Sequence, residues 1–405
     1  MSLVILYGLF LSLPKLFLSL IQLNFLSKEK TKPAYILPSD DFIKAANYAI
    51  IREKISLFEN IFDFILLGFW LLFGLNYLQS LLTPLSSSSP LLGSVVFVLV
   101  FLLFQSLISI PFSAYKTLII DKRFGFSKGG LKLFILDTLK SLILLIIIGG
   151  ILLFAFVFII TNIANWWLYA LLLSIALILA TNLLYPTLIA PLFNKFTPLD
   201  NEDLKNSIQN LLERVGFQSS GVFVMDASKR DGRLNAYFAG FGKTKRVVLF
   251  DTLIKKISKE SLLAVLGHEL GHFKHNDIYK MIGFMVIMLS ILFFIIGNLP
   301  NEIFTLANLE PSPHIFIIFL LLFSNLIGFY FMPIFSFFSC KNEFNADKFG
   351  AELTSKEDLA KALLVLVKEN NSFPLSHPLY MRFYYSHPPL MARLIALNCE
   401  KMAIS

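Results

Sequence analysis

Two histidines four residues apart flank a glutamate in the segment His-Glu-Leu-Gly-His at positions 268–272. On an α-helix, residues i and i+4 lie on one face, so the imidazoles of His268 and His272 can approach one Zn²⁺ ion from adjacent turns. Glu269 directly follows the first histidine and is placed to take a proton from a water molecule in such a site. The spacing therefore predicts a zinc site whose chemistry is metal-assisted hydrolysis.

A third protein ligand must come from elsewhere in the chain, because a catalytic zinc ion takes three ligands and keeps one position open. The metzincin pattern places a histidine six residues after the second one, where this chain has Ile278, so we exclude that class. His275 points along the same helix, and we expect it to be solvated rather than bound to the ion.

The segment Cys-Lys-Asn-Glu-Phe-Asn-Ala-Asp, at positions 340–347, offers two carboxylates four residues apart. On a helix, Glu343 and Asp347 share one face, so both can face the metal. One carboxylate can then bind the ion while the other holds the imidazole of a ligand histidine. The pattern alone also fits a solvated acidic helix, because Glu and Asp are common on surfaces.

The overall composition places these residues in a membrane protein. Hydrophobic residues make up 56% of the 405 residues and charged residues only 15%, whereas a soluble chain carries about 25% charged residues. The two cysteines, Cys340 and Cys399, cannot build a disulfide framework or a Cys-x-x-Cys metal site. A net charge of +8 suits nucleic acid or a membrane surface. With this hydrophobic content, we expect a lipid bilayer and no nucleic acid as the partner.

Seven apolar segments are long enough to cross the roughly 30 Å hydrocarbon core of a bilayer as helices. We therefore predict a mainly α-helical integral membrane protein with seven transmembrane helices, joined to an α+β zincin-like protease domain in the cytoplasm. The predicted spans are residues 3–26, 62–83, 90–112, 141–162, 167–190, 279–299 and 314–338.

The segments between these spans alternate in charge. Lys and Arg collect after the first, third and fifth spans, whereas residues 82–90 are uncharged and the 300–313 loop carries only Glu302 and Glu310. Positive charges mark the cytoplasmic side, so we predict the N-terminus outside and the C-terminus and protease domain in the cytoplasm. Compact loops and a preference for Lys over Arg favour a bacterial inner membrane over the endoplasmic reticulum.

The hydrophilic part of the chain reads as ordinary globular sequence. Residues 203–217 have helical spacing with a stop at Gly216, and the segments 221–228 and 246–254 are typical of strands. Residues 234–245 between these strands predict a hairpin arm with its turn at Gly242.

We expect two domains along the chain. An N-terminal membrane domain with five spans covers residues 1–195, and a metallopeptidase domain that includes the last two spans covers residues 196–400. The site motifs fall in the second domain, so the first supplies the membrane body around it.

Taken together, the HELGH motif, the EFNAD segment and the seven spans resemble the CAAX prenyl protease type 1 family, integral-membrane zinc endopeptidases of the gluzincin type that process prenylated precursors. The resemblance covers about residues 45–400 and implies helices that enclose a water-filled chamber, with the metal near its cytoplasmic end. Further segments that are similar to the family, in order, are 110–126, 189–199, 228–254 and 384–397.

The resemblance also implies roles for individual residues. It makes Glu269 the general base and acid, and it implies that His387 donates a hydrogen bond to the tetrahedral intermediate. It implies that Asp347 supports the metal ligands and that Arg393 is buried beside them. The implied ligands of one Zn²⁺ ion per chain are His268, His272 and Glu343, and the implied edge strand for the substrate backbone comprises Asn235, Ala236, Tyr237 and Phe238.

The family's substrates are peptides or proteins with prenylated C-termini, and cleavage removes their last residues. A quality-control protease that degrades membrane proteins would use the same zinc site, and a substrate profile separates it from a processing enzyme. A transporter or scaffold with a structural metal predicts a closed four-ligand shell and charges buried in the spans. The sequence offers three ligands, and its charged residues lie mostly outside the spans.

Overall fold

The computed structural model describes residues 1–240 and 245–403. Across these residues, seven helices are long and apolar enough to cross a membrane, which confirms the seven predicted spans. Helices are numbered along the chain, and each uninterrupted helical stretch counts as one element. The long helices are α1 (Ser2–Glu29), α2 (Ser39–Ser88), α3 (Pro90–Asp121), α4 (Leu131–Asn162), α5 (Trp166–Phe193), α9 (Asp277–Gly297) and α11 (Pro313–Leu353).

Shorter helices connect the long ones or belong to the hydrophilic part of the chain. One of them, α8, carries the HELGH motif, and two short 3₁₀ turns lie at Ala227–Lys229 and Glu400–Ala403. The shorter helices are α6 (Glu202–Arg214), α7 (Asp251–Ile254), α8 (Lys259–Lys274), α10 (Asn301–Thr305), α12 (Lys356–Glu369), α13 (Pro378–Tyr384) and α14 (Leu390–Ala396).

The long helices bury one side and expose large apolar side chains on the other. Val98, Val157 and Ala170 are fully buried in one cluster between α3, α4 and α5. Phe73 and Ile151, by contrast, are 67% and 66% exposed. Exposed apolar surface of this extent is unfavourable in water and is satisfied by the hydrocarbon of a bilayer. The packing therefore agrees with a multi-pass membrane protein.

Two of the long helices extend well past the apolar segments that predict them. Helix α2 begins at Ser39 rather than at residue 62, and α11 continues beyond residue 338 to Leu353. Hydropathy detects only the apolar part of a helix, while polar turns of good helix formers continue it. Each of α1 to α5 also contains a π-helical segment, at Gly8–Ser12, Trp70–Gly74, Tyr115–Asp121, Leu145–Gly149 and Tyr185–Ile189.

A four-stranded sheet accompanies α8, in the order β1-β2-β4-β3. Strands β2 and β4 are parallel, while β1 and β3 run antiparallel to their neighbours. Strand β3 has β4 on one side only, so its other edge is open within the described part of the chain. The strands are β1 (Phe196–Pro198), β2 (Val222–Met225), β3 (Ala236–Ala239) and β4 (Arg246–Phe250).

The two predicted strands and the helix that precedes them are confirmed. The helix ends at Arg214, and Gly216 follows with a φ of +66°, a left-handed conformation that glycine adopts without strain. Strand β4 is shorter than predicted because residues 251–254 turn into α7. The predicted turn at Gly242 lies outside the described residues.

Candidate metal centre and active site

Helix α8 begins where the sequence predicts and packs very closely on α11. The hydroxyl of Ser258 accepts a hydrogen bond from the backbone N–H of Ser261, which satisfies one of the free donors at the helix start. Small residues then allow the two backbones to meet. A Cβ atom added at Gly271 would lie 2.7 Å from the Cα of Ala346, and one at Gly350 would lie 2.7 Å from the backbone N of His268. Glycine at these positions thus brings the HELGH motif against the acidic segment of α11.

This close packing brings His268, His272 and Glu343 together. The Nε2 atoms of the two histidines are 3.2 Å apart, and they lie 3.5 Å and 3.3 Å from the carboxylate oxygens of Glu343. Tetrahedral ligands at the usual zinc bond length of about 2.1 Å are separated by about 3.4 Å. The 3.5 Å distance joins His268 to Oε2 of Glu343 and the 3.3 Å distance joins His272 to Oε1, so the spacing of the donors is suited to a zinc ion.

The chemistry of these donors also fits a cation. Glu343 is buried, and its Oε2 atom has no hydrogen-bond partner in the described part of the chain. The guanidinium of Arg393 approaches this oxygen only to 3.5 Å. A buried carboxylate oxygen without a hydrogen bond is costly, and a metal ion bound between the three residues would satisfy it. Two neutral imidazoles and one carboxylate are the donor set of the gluzincin type of zinc site, with the fourth position left open.

A buried carboxylate orients His268. The Nδ1–H of His268 donates to Oδ1 of Asp347 at 2.8 Å, which leaves Nε2 to face the other candidate ligands. Asp347 in turn accepts two hydrogen bonds from Arg393, at 2.7 Å from Nε and at 2.6 Å from Nη2. The structure thus places both predicted supporting residues directly behind the first histidine.

A second carboxylate, missed by the sequence analysis, orients His272. The Nδ1–H of His272 donates to Oδ2 of Asp277 at 2.9 Å. Asp277 begins α9 immediately after Asn276, whose positive φ of 56° turns the chain back toward the site. Burial lowers the pKa of His272, but its hydrogen bonds to Glu343 and Asp277 outweigh this effect and raise it to about 9. The only sequence signal for this contact is an acidic residue five positions after His272. That spacing crosses the end of a helix, so it does not predict where the side chain of Asp277 lies.

Glu269 lies on the same helix and lines the same cavity as His268 and Glu343. Burial raises the pKa of the Glu269 carboxyl, and the nearby His268 and His272 oppose that rise. A carboxylate whose pKa is raised from its usual value is better matched to accepting and returning a proton near neutral pH. The position and environment of Glu269 thus suit a general base.

His387 reaches the site from the other side. It follows α13 in the chain, and its Nδ1–H donates to Oε1 of Glu343 at 2.8 Å. The side chain is 63% exposed, so the rest of the ring is accessible from the cavity. By contrast, the Nδ1–H of His275 donates to the carbonyl of Gly271 at 2.8 Å, away from the three candidate ligands.

A cavity of about 990 Å³ connects the candidate metal site with the start of the edge strand. Asn235 and Ala236 line it, whereas Phe238 packs on Phe217 and Tyr237 packs edge-on against Phe250. Only part of the predicted substrate strand therefore reaches the cavity with its side chains. The predicted site residues that share this cavity are His268, Glu269, Glu343, His387, Arg393, Asn235 and Ala236.

Seven membrane helices joined to this cluster define the class of protein, an integral membrane metallopeptidase of the His-Glu-x-x-His type. Residues 198–401 match peptidase family M48. Residues 22–195 match the N-terminal region of CAAX prenyl proteases, described as five membrane helices. The chain belongs to peptidase family M48.

Relatives match over almost the whole length. The CAAX prenyl protease 1 of Saccharomyces cerevisiae is 33% identical over 92% of this chain and 89% of its own length. The human CAAX prenyl protease 1 homolog is 32% identical over 90% of this chain and 88% of its own length. The crystal structure of S. mikatae Ste24p is similar with a TM-score of 0.88 and 29% identity, and the match covers 98% of both chains. The predicted enzyme class and fold class, a membrane-embedded metalloprotease with an α+β peptidase unit, are thereby confirmed.

Proposed function

We propose that this protein binds one zinc ion per chain and removes the C-terminal residues of prenylated or similar peptides. The observation that carries the proposal is the donor triangle of His268, His272 and Glu343, with Glu269 in the cavity that His268 and Glu343 line. The relatives named CAAX prenyl protease 1 support the substrate class. A transporter or scaffold with a structural metal is set aside, because the chain is a metallopeptidase and its donor set leaves one position open.

A zinc ion in this site supplies Lewis acidity, which makes water more acidic and polarises the carbonyl of the peptide bond. Glu269 accepts the proton from the attacking water and passes it to the leaving amine. His387 donates a hydrogen bond to the substrate oxygen that gains negative charge as the water attacks. Both side chains line the same cavity as His268 and Glu343.

The remaining predicted residues hold this arrangement. Asp347, supported by Arg393, and Asp277 each accept from the Nδ1–H of one candidate ligand histidine, so both Nε2 atoms would be free to bind a zinc ion. The substrate backbone pairs with the open edge of β3, at Asn235–Phe238, by strand addition. Main-chain pairing suits peptides of varied sequence, because it reads no side chains.

For the location in the cell, we propose the orientation predicted from the charges, with the N-terminus outside and the C-terminus and peptidase domain in the cytoplasm. Residues 1–195 form the membrane domain and residues 196–400 the peptidase domain. The preference for a bacterial inner membrane rests on composition alone, whereas the relatives named above are from yeast and human. Fractionation of the native host decides between that membrane and the endoplasmic reticulum.

The test uses the full chain purified in detergent, a farnesylated CAAX peptide and a measurement of bound zinc. We expect cleavage that a chelator abolishes and that zinc restores. Glu269→Gln should keep its zinc and lose at least about a hundredfold in kcat. Glu260→Gln is the matched control, because Glu260 is exposed at the start of the same helix. Full activity of Glu269→Gln, or cleavage that resists the chelator, would contradict the proposal. Indifference to the C-terminal sequence of the peptide would instead favour a quality-control protease.

A further inference from the structure

Three arginines line the cavity that holds the candidate metal site, and they differ in how closely neighbouring carboxylates pair with their guanidinium groups. Arg393 donates two hydrogen bonds to Asp347. Arg233 forms ion pairs with Asp231 and Asp121, the latter at 3.2 Å. These two guanidinium groups are held in place by carboxylates, and neither has its charge available for a substrate anion.

Arg52 is the third of these arginines. Its side chain is 47% exposed, and its nearest acidic atom is Oδ1 of Asp121 at 3.9 Å, beyond hydrogen-bond distance. That same oxygen already accepts from the hydroxyl of Tyr48 at 2.7 Å and from Arg233. Within the described part of the chain, Arg52 stands over the Tyr48 ring at 5.9 Å and has no hydrogen bond to an acid. Its donors are therefore available to a group that enters the cavity.

The position of Arg52 relative to β3 indicates which group that is. Arg233, Leu234 and Asn235 lead directly into β3, and Arg233 shares Asp121 with Arg52. A peptide that pairs antiparallel with the open edge of β3 runs opposite to the strand, so its C-terminal end passes Ala236 and then Asn235. The C-terminal end of the peptide thus approaches Arg233 and Arg52 at the start of β3.

We propose that Arg52 binds the terminal carboxylate of a peptide whose C-terminus lies a few residues past the cleaved bond. A guanidinium with free donors matches a carboxylate through two parallel hydrogen bonds. The neighbouring Glu53 also lines this cavity, but its Oε2 atom already accepts a hydrogen bond from the hydroxyl of Tyr380 at 2.6 Å. The inference rests on the proposed function, and it adds a reason why the enzyme would act near chain ends.

The experiment compares pairs of fluorogenic peptides that differ only in a C-terminal carboxylate or carboxamide, with the full chain in detergent. The wild type should cleave the acid with a kcat/KM at least about tenfold above that of the amide. Arg52→Gln should bring the two within about twofold by losing activity on the acid, while activity on the amide stays unchanged. Arg52→Lys should keep only part of the preference for the acid. The positive charge remains, but a lysine cannot form the two parallel hydrogen bonds of a guanidinium.

Lys54→Gln is the matched control, since it removes a positive charge two residues further along the same helix, outside the cavity lining. It should discriminate like the wild type. Extending the peptide by several residues should abolish the advantage of the acid in the wild type and change nothing in Arg52→Gln. A wild type that cleaves acid and amide equally well, or an Arg52→Gln variant that still prefers the acid, would overturn the inference.

Binding to the Glu269→Gln background separates this inference from the proposed function. Affinities of the acid and the amide, measured by fluorescence anisotropy with and without Arg52→Gln, require no hydrolysis. A preference for the acid that disappears with Arg52 supports the carboxylate subsite even when the wild type cleaves neither peptide, in which case only the proposed function fails. Cleavage of both peptides with equal affinity for acid and amide would refute the subsite and leave the function standing.

Discussion

The Nδ1 atom of His272 lies 2.9 Å from Oδ2 of Asp277, and this contact mirrors the 2.8 Å contact between His268 and Asp347. Each candidate ligand histidine therefore has its own carboxylate behind it. Such partners fix the tautomer and the ring orientation that a metal needs, and their loss typically weakens metal binding about 10- to 100-fold.

Removal of the carboxylate behind His272 should weaken metal binding without unfolding the protein. We expect Asp277→Ala to raise the Kd for zinc about 10- to 100-fold, because the imidazole of His272 loses its fixed tautomer. Competition with a fluorescent chelator measures the change. Asp251→Ala is the control, since Asp251 also begins a helix, α7, but accepts a hydrogen bond from the backbone N–H of Ser228, which is not a residue of the metal site. Equal zinc affinity of Asp277→Ala and wild type would refute the role of Asp277.

Metal uptake should depend on pH through His272. Before an ion binds, Glu343 and Asp277 help to hold the pKa of His272 at about 9, above its ordinary 6.5. Below that pKa the ion must displace a proton, so the apparent affinity should rise roughly tenfold per pH unit from about pH 6.5 to 8.5 and level off above about pH 9. Zinc titrations across this range test the slope. Asp277→Asn should level off at lower pH, and a wild-type affinity independent of pH would contradict the argument.

The close contact between α8 and α11 should tolerate no added methyl group. Gly271→Ala places a Cβ atom 2.7 Å from the Cα of Ala346, so the helices must separate, at a cost of about 1–3 kcal/mol in the free energy of unfolding. Thermal unfolding in detergent should show a lower Tm and weaker zinc binding. Gly283→Ala is the control, because no atom lies within 4 Å of the added Cβ there. A Gly271→Ala protein as stable as Gly283→Ala would mean that the helices repack freely.

His387 should affect turnover more than metal content. We expect His387→Ala to lower kcat about 100- to 1,000-fold, because one donor to the substrate oxygen is lost. Bound zinc, measured on the same sample, should stay near one per chain. His387 also donates to Glu343, so a positioning role predicts a different result: loss of zinc in parallel with loss of activity. His377→Ala is the control, since His377 caps α13 by accepting from Leu379.

Patterns that depend on neighbours along the chain could be predicted from the sequence. The seven spans follow from apolar runs of helical length, and the pairing of His268 with His272 follows from the 3.6-residue turn. The first and last residues of the helices could not be predicted as well from the sequence. Helix α11 continues from the membrane segment into polar turns that carry Glu343 and Asp347, because residues 339–349 contain neither proline nor glycine.

The contacts that complete the site join residues far apart in the chain. Arg393 reaches Asp347, His387 reaches Glu343, and Arg52 shares a cavity with His268, more than two hundred residues away. Asp277 is near in sequence, but its contact with His272 depends on the reversal of the chain at Asn276. The sequence alone determined the membrane class, the motif and its chemistry, since these are local properties of composition and helical period. Only the tertiary structure decided how the carboxylates and cations are arranged around that motif and added Asp277 and Arg52 to them, because packing of glycine-lined helices, not spacing along the chain, sets those distances.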